Sequence, residues 1–96
     1  MDREEVYKHI DTERDYQAVR WNENTTSTAG KHSVTEFLVY IRDYTEEALH
    51  LVTRNADPKA SEDAAHILRK IAALAVACME QNGSYPRTEE EINKYK

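Results

Sequence analysis

Apolar residues between positions 60 and 79 cover more than one stripe of a helix. They include Ala64, Ile67, Leu68, Ile71, Ala72, Leu74, Ala75, Val76, Cys78 and Met79. A surface helix needs an apolar face of only about 100°. We therefore expect this helix to be buried between other helices or between subunits.

The preceding segment has a narrower apolar face and a clear start. The apolar positions recur at intervals of three and four: Val34, Phe37, Leu38, Ile41, Tyr44, Ala48, Leu51 and Val52. Ser33 and Glu36 have the spacing of a capping box. This pattern predicts a helix over about residues 34–54.

Capping residues also bound the apolar-rich helix, which we place over about residues 58–82. Asp57 and Pro58 supply the N-cap and the first-turn proline, and Gly83 ends the helix. Only about three residues connect it to the preceding helix, and so short a connection predicts an antiparallel helical hairpin.

Two more polar helices and a loop complete the predicted fold. An N-terminal helix is predicted over about residues 3–21, and a short C-terminal helix with Ile92 and Tyr95 as anchors over about 88–95. The polar segment 22–32 is predicted to be a flexible loop. We therefore predict a single all-α domain over residues 1–96.

The N-terminal helix is too polar to cover all the apolar surface of the hairpin. A chain of 96 residues buries only about 60 to 65% of its unfolded surface. We therefore predict a homo-oligomer. The alternative is a monomeric bundle of three or four helices with a few exposed leucines.

Composition and charge narrow the function classes. The net charge of −5, from 13 basic and 18 acidic residues, disfavours nucleic acid as a partner. Cys78 is expected in the core, in keeping with a reducing compartment. The charged residues after Met1 and the absence of a long apolar run predict no signal peptide and no membrane partner. We expect a cytoplasmic protein.

A dense group of polar and aromatic side chains lies just before the loop and includes Arg14, Tyr16, Gln17, Arg20 and Trp21. Arginine pairs with phosphate, and aromatic rings stack on planar bases, so this composition suits a small anionic, nucleotide-like ligand. The alternative is that Tyr16 and Trp21 only dock the helix.

Residues elsewhere in the chain extend this predicted site. Arg69, Lys70 and Arg87 could add positive charge, although Arg69 and Lys70 could instead pair with Glu46 or Glu47. Lys31 or His32 could gate the site from the loop. The predicted ligand-binding residues are Arg14, Tyr16, Gln17, Trp21, Lys31, His32, Arg69 and Arg87.

The acidic residues of the hairpin give a second, metal-binding interpretation. Glu36, Asp43 and Glu47 project from one helix face, and Glu80 lies on the opposing helix, so these carboxylates could hold Mg²⁺. A solvated acidic face is the alternative, and we predict no catalytic residue and no cofactor. The four histidines lack the spacing of a zinc site.

The segments Glu13-Arg14-Asp15-Tyr16-Gln17 and Met79-Glu80-Gln81-Asn82-Gly83, within residues 13–87, resemble a group of small phage-encoded helical proteins, mostly of unknown function. That group is similar to the all-α nucleoside triphosphate pyrophosphohydrolases of MazG type, which hold magnesium on a Glu-x-x-Glu and a Glu-x-x-Asp pair. Neither pair begins at Glu36, Glu47 or Glu62 here. The resemblance therefore implies the helical scaffold without its metal site.

Small phage sponges against nucleotide-based immunity (anti-CBASS sponges) offer an analogy of size and architecture. Our leading hypothesis is a non-enzymatic phage protein that sequesters a small nucleotide-derived ligand, such as a bacterial immune signal. One alternative is a magnesium-dependent nucleoside triphosphate pyrophosphohydrolase that uses Glu36, Asp43, Glu47 and Glu80. A second alternative is a protein-binding inhibitor of a host enzyme.

Overall fold

The regular elements of the described chain are helices. A computed structural model describes residues 1–20, 31–54 and 56–96. Its elements are α1 (Arg3–Arg20), α2 (Val34–Arg54), α3 (Pro58–Asn82) and α4 (Glu89–Asn93). Within these ranges there is no strand. The predicted all-α class is confirmed.

The capping residues act as the sequence pattern predicts. The Ser33 hydroxyl accepts a hydrogen bond from the Glu36 amide at 3.1 Å, and the Glu36 carboxylate accepts one from the Ser33 amide at 3.1 Å. The Asp57 side chain caps α3. Gly83 ends α3 with a φ of 86°, and its amide donates to the Met79 carbonyl at 2.8 Å. A positive φ is readily adopted only by glycine, so the helix stops here.

The two outer helices differ slightly from their predicted bounds. α4 is shorter than the predicted 88–95, because Thr88 is its N-cap and the helix ends at Asn93. The predicted last residue of α1, Trp21, lies outside the described residues. The predicted loop also lies outside them, apart from Lys31 and His32.

α3 is the central element, because α1 and α2 both pack against it. On the α2 side, Phe37 and Leu74 are completely buried, and Ala77 lies beside them. Ile41, Tyr44 and Cys78 pack around this cluster. Cys78 therefore contacts the core, as predicted. Small alanines on α3 leave room for the phenyl ring of α2 to approach closely.

The start of α2 lies beside the end of α3. The His32 amide donates to Gln81 Oε1 at 2.7 Å. Asn82 Nδ2 donates to the carbonyl of His32 and to that of Cys78, both at 3.1 Å. The backbone before α2 is thus held by side chains from the last turn of α3.

A single chain leaves much apolar surface uncovered. Its Cα radius of gyration is 15.8 Å, whereas a compact domain of this length has about 12.5 Å. Large side chains such as Leu38, Leu49 and Leu68 are more than half exposed. None of the described helices combines the length and the apolar character that crossing a membrane requires.

Removing the phenyl ring of Phe37 should destabilise the fold strongly. Phe37→Ala leaves a cavity against Leu74, and we expect the free energy of unfolding to fall by about 3 kcal/mol or more. Urea unfolding followed by circular dichroism measures this change. Val39→Ala, at a position that is 60% exposed on the same helix, should cost less than about 0.5 kcal/mol. Similar losses in both variants would contradict this assignment of the core.

Candidate functional site

The face of α1 that contacts α3 changes from apolar to polar along the helix. Val6, Ile10, Glu13 and Gln17 recur at intervals of four, three and four, which places them on one face. Glu13 is only 6% exposed and Gln17 only 7%. Two polar residues therefore occupy positions where a helix–helix interface normally carries apolar side chains.

An ion pair compensates the buried carboxylate of Glu13. Arg69 Nε donates to Glu13 Oε1 at 2.8 Å. Arg69 also donates from Nη1 to Nδ1 of His66 at 3.1 Å, where the ring nitrogen must accept because arginine has only donors. The sequence pattern offered Glu46 or Glu47 as partners of Arg69. The structure instead pairs Arg69 with Glu13, because α1 and not α2 covers this part of α3.

The carboxamide of Gln17 is only half satisfied. Its Nε2 donates to the backbone carbonyl of Lys70 at 3.2 Å. That carbonyl can only accept, so the amide nitrogen must face it, and Oε1 points the other way. Oε1 is buried, and no group in the described part of the chain donates to it. A buried acceptor without a donor costs about 1 to 3 kcal/mol.

A cleft opens beside Gln17, between α1, α2 and α3. We call it the polar cleft. It has a volume of about 250 Å³ and adjoins a second hollow of about 480 Å³, with which it shares Glu13, Tyr16 and Lys70 as lining residues. Together they are lined by Thr12, Glu13, Tyr16, Gln17, Arg20, Tyr44, Arg69 and Lys70. Their size is in the range of small-molecule sites.

Two cations lie close to aromatic rings on the walls of the polar cleft. The Arg20 guanidinium lies 5.6 Å from the centroid of the Tyr16 ring and donates to the Tyr16 hydroxyl at 3.0 Å. The Lys70 ammonium lies 5.7 Å from the centroid of the Tyr44 ring. Glu13 is the one carboxylate among the described lining residues, and it is paired with Arg69. The lining therefore carries excess positive charge in a chain whose net charge is −5.

Three of the predicted ligand-binding residues line the polar cleft. These are Tyr16, Gln17 and Arg69. Arg14 is not among the lining residues, because it makes a two-bond pair with Glu80, at 2.9 Å and 3.1 Å. The predicted stacking residue Trp21 lies outside the described residues.

The remaining predicted ligand-binding residues lie elsewhere. Lys31 and His32 precede α2, on the side of α3 where that helix ends. Arg87 precedes α4 and pairs with Glu91. That pair is the main cause of the lowered pKa of the Glu91 carboxyl. None of these three residues lines the polar cleft.

Tyr44 lines the polar cleft, although its spacing in the sequence predicted only a position on the apolar face of α2. Its ring packs against the Phe37 cluster and at the same time lines the polar cleft. A signal for this dual role exists in the sequence. Lys70 interrupts the apolar surface of α3, so it requires a polar or aromatic neighbour, and tyrosine offers both.

His32 forms a second polar cluster before α2. Its Nδ1 donates to Glu36 Oε2 at 2.9 Å. Its ring makes T-shaped contacts with the rings of Phe37 and Tyr40. The His32 bond, followed by the bond from the Ser33 amide, lowers the pKa of the Glu36 carboxyl below its usual 4.5. This cluster stabilises the beginning of α2.

Two of the four carboxylates in the metal-binding interpretation, Glu36 and Glu80, have separate partners. Glu36 is bound by His32 and Ser33, and Glu80 by Arg14. Within residues 1–20, 31–54 and 56–96, no three His, Cys, Asp or Glu side chains are grouped as metal ligands.

Comparison of the chain with models of known protein families, with curated proteins and with solved structures gave no match.

Removing the partner of the buried Glu13 carboxylate should be costly. We expect Arg69→Met to lower the free energy of unfolding by about 2 kcal/mol or more, because Glu13 is left buried and unpaired. The double variant Glu13→Met/Arg69→Met should recover most of that loss. Urea unfolding of the single and double variants gives the coupling energy. Arg42→Met, which breaks an exposed pair with Glu46, is the control and should cost less than about 1 kcal/mol. Additive losses at positions 13 and 69 would contradict a buried pair.

The lowered pKa of Glu36 predicts acid sensitivity. Because the folded protein holds this proton less tightly than the unfolded chain, Glu36 stabilises the fold above its unfolded pKa. That contribution is lost as the pH falls through the lowered, folded pKa. We expect the urea midpoint of Glu36→Gln to vary less than that of the wild type between about pH 5 and pH 3. Identical pH profiles would show that the His32–Glu36 bond does not form in solution.

Proposed function

We propose that the protein binds a small anionic, nucleotide-like ligand in the polar cleft and holds it unchanged. The observation that carries this proposal is a cleft rich in cations and aromatic rings that is lined by Gln17, whose buried Oε1 has no donor among the described residues. A ligand with an N–H group, such as a nucleobase, would supply the missing donor once the Gln17 side chain turns its carboxamide oxygen toward the cleft.

The charge of the cleft supports an anionic ligand. Arg20, Arg69 and Lys70 line it, and Glu13 already neutralises Arg69. No carboxylate in the described residues lies within ion-pair distance of the Lys70 ammonium. Phosphate oxygens would bind these cations by charge-assisted hydrogen bonds, which are about twice as strong as neutral ones.

The rings of the cleft support a planar group on the ligand. Tyr16 and Tyr44 both line it, and each ring has a cation close to it. A base that stacks on either ring would bring its own phosphate near Arg20 or Lys70. The same walls could thus bind both parts of a nucleotide.

We propose sequestration rather than hydrolysis because of how the carboxylates are used. Hydrolysis with Mg²⁺ needs several unpaired carboxylates that converge on the metal ion. Glu80 is bound to Arg14 and Glu36 to His32, in separate places. The resemblance to small phage proteins suggests that the ligand is a nucleotide signal of bacterial immunity, held in the host cytoplasm.

We also propose that an antiparallel α2–α3 hairpin is the repeating unit of a homo-oligomer. The hydrogen bonds from the His32 amide to Gln81 Oε1 and from Asn82 Nδ2 to the His32 carbonyl support the antiparallel arrangement. Exposed Leu38, Leu49 and Leu68 support self-association, because a second copy would remove apolar area from water that a single chain leaves exposed.

The decisive experiment separates sequestration from hydrolysis. The purified full chain is incubated with nucleoside triphosphates and cyclic nucleotides plus Mg²⁺, and the solution and the heat-released fraction are examined by mass spectrometry. An intact nucleotide found only after heating supports sequestration. New monophosphate and pyrophosphate would support the pyrophosphohydrolase alternative. If neither is found, the nucleotide proposal fails, and inhibition of a host enzyme becomes the alternative to test.

Variants of the cleft test which residues bind. For any nucleotide retained in that experiment, Lys70→Met and Arg20→Met should each weaken affinity about tenfold or more, as expected for one charge-assisted hydrogen bond. Isothermal titration calorimetry measures the dissociation constants. Arg42→Met is the matched control, because this arginine is exposed on α2 and does not line the cleft. Wild-type affinity in both cleft variants would place the ligand elsewhere.

A further inference from the structure

α1, which the structure describes over its whole length, contributes no buried apolar side chain to the fold. Its buried residues are Glu13 and Gln17, which are both polar. The completely buried apolar side chains are Phe37 of α2 and Leu74 of α3, with Ala77 beside them. Burial of apolar surface is the main favourable term in folding. The α2–α3 contact therefore contains the stable core, and α1 adds little to it.

The apolar side chains of α1 that face α3 are loosely packed. Val6 is 39% exposed. Val6 and Ile10 line a hollow of about 450 Å³, together with Leu68 and Ala72 of α3. Side chains around a hollow have fewer neighbouring atoms than those in a close-packed core, so they gain less dispersion energy. This end of the α1–α3 contact therefore holds α1 weakly.

Polar contacts hold the other end of α1. The bonds run from Arg69 to Glu13, from Gln17 to Lys70 and from Arg14 to Glu80. Each of them replaces hydrogen bonds that the same groups make with water when α1 leaves α3, so the net stabilisation is small. The buried Oε1 of Gln17, which has no donor among the described residues, opposes the docking of α1.

The polar cleft is built largely on this weakly held helix. Most of its lining residues belong to α1, namely Thr12, Glu13, Tyr16, Gln17 and Arg20. The remainder are Tyr44 of α2 and Arg69 and Lys70 of α3. The complete cleft therefore exists only while α1 lies on α3. Helices depend on tertiary packing for most of their stability, so α1 also unwinds when it leaves α3.

We propose that α1 is a strap that opens while α2 and α3 remain packed, and that a ligand in the polar cleft holds the strap closed. The open form gives a ligand access to the Arg69 and Lys70 side of the cleft, and closing adds the walls that α1 supplies. A ligand that binds only the closed form shifts the population toward it. The part that concerns the ligand rests on the proposed function, whereas the opening of α1 does not.

Native-state hydrogen exchange of the full chain, without added nucleotide, tests the strap. Amides in the middle of α1 should be at least about tenfold less protected than those around Leu74, because local opening exposes the former and only unfolding of the α2–α3 pair exposes the latter. NMR spectroscopy measures the exchange residue by residue. Equal protection in both helices would show that they open together and would overturn the strap.

A variant of the α2–α3 core separates the two openings. Ile41 packs against the Phe37 cluster and does not line the polar cleft. Ile41→Val should lower the protection around Leu74 about fivefold, as expected for one buried methylene. It should leave α1 protection unchanged, because the open and closed forms of the strap both keep this core. Val39→Ala, at an exposed position of the same helix, is the control and should change neither. An equal fall in α1 and around Leu74 would overturn the strap.

A bound nucleotide tests the second part of the inference. Any nucleotide that the protein retains is added at about 100 times its dissociation constant, and α1 protection should then rise about 100-fold, because each opening of the strap requires the ligand to leave. Unchanged α1 protection in a sample that binds the nucleotide would show that the ligand is held without α1, and would overturn the coupling alone.

Failure of the proposed function gives a different result. A protein that retains no nucleotide overturns both the proposed function and the coupling of the strap to a ligand. The exchange measured without nucleotide, in the wild type and in Ile41→Val, still decides whether α1 opens by itself.

Discussion

The need to cover α3 on two sides shapes the rest of this structure. α3 carries too much apolar surface for one neighbouring helix, so α1 and α2 both pack against it. α2 covers its side with the phenyl ring of Phe37, which is completely buried against Leu74. α1 covers the other side with Glu13 and Gln17, which are polar. The two sides of α3 therefore differ in the chemistry of their contacts.

The candidate site lies at the polar contact between α1 and α3. A polar interface stabilises a fold less than an apolar one of equal area, because buried carboxylates and amides lose their hydration. Arg69 restores an ion pair for Glu13, but the described chain supplies no donor for Gln17 Oε1. A local departure from the rules of stable packing often marks a functional site. The polar cleft beside Gln17 joins that departure to cations and aromatic rings.

Arg69 connects the polar and the apolar part of the α1–α3 contact. It is held in place by Glu13 and His66. Its side chain lines the polar cleft and also an apolar hollow that Val6, Ile10, Leu68 and Ala72 line.

The sequence by itself determined the helical class and most of the helix boundaries. Caps such as Ser33–Glu36, Asp57 and Gly83 act through bonds over three or four residues, so their effect can be deduced from local spacing. Only the tertiary structure decided that Arg69 meets Glu13, that Arg14 is held by Glu80, and that Tyr44 lines the cleft. These contacts join residues far apart in the chain. They depend on how α1 crosses α3, and local spacing does not contain that information.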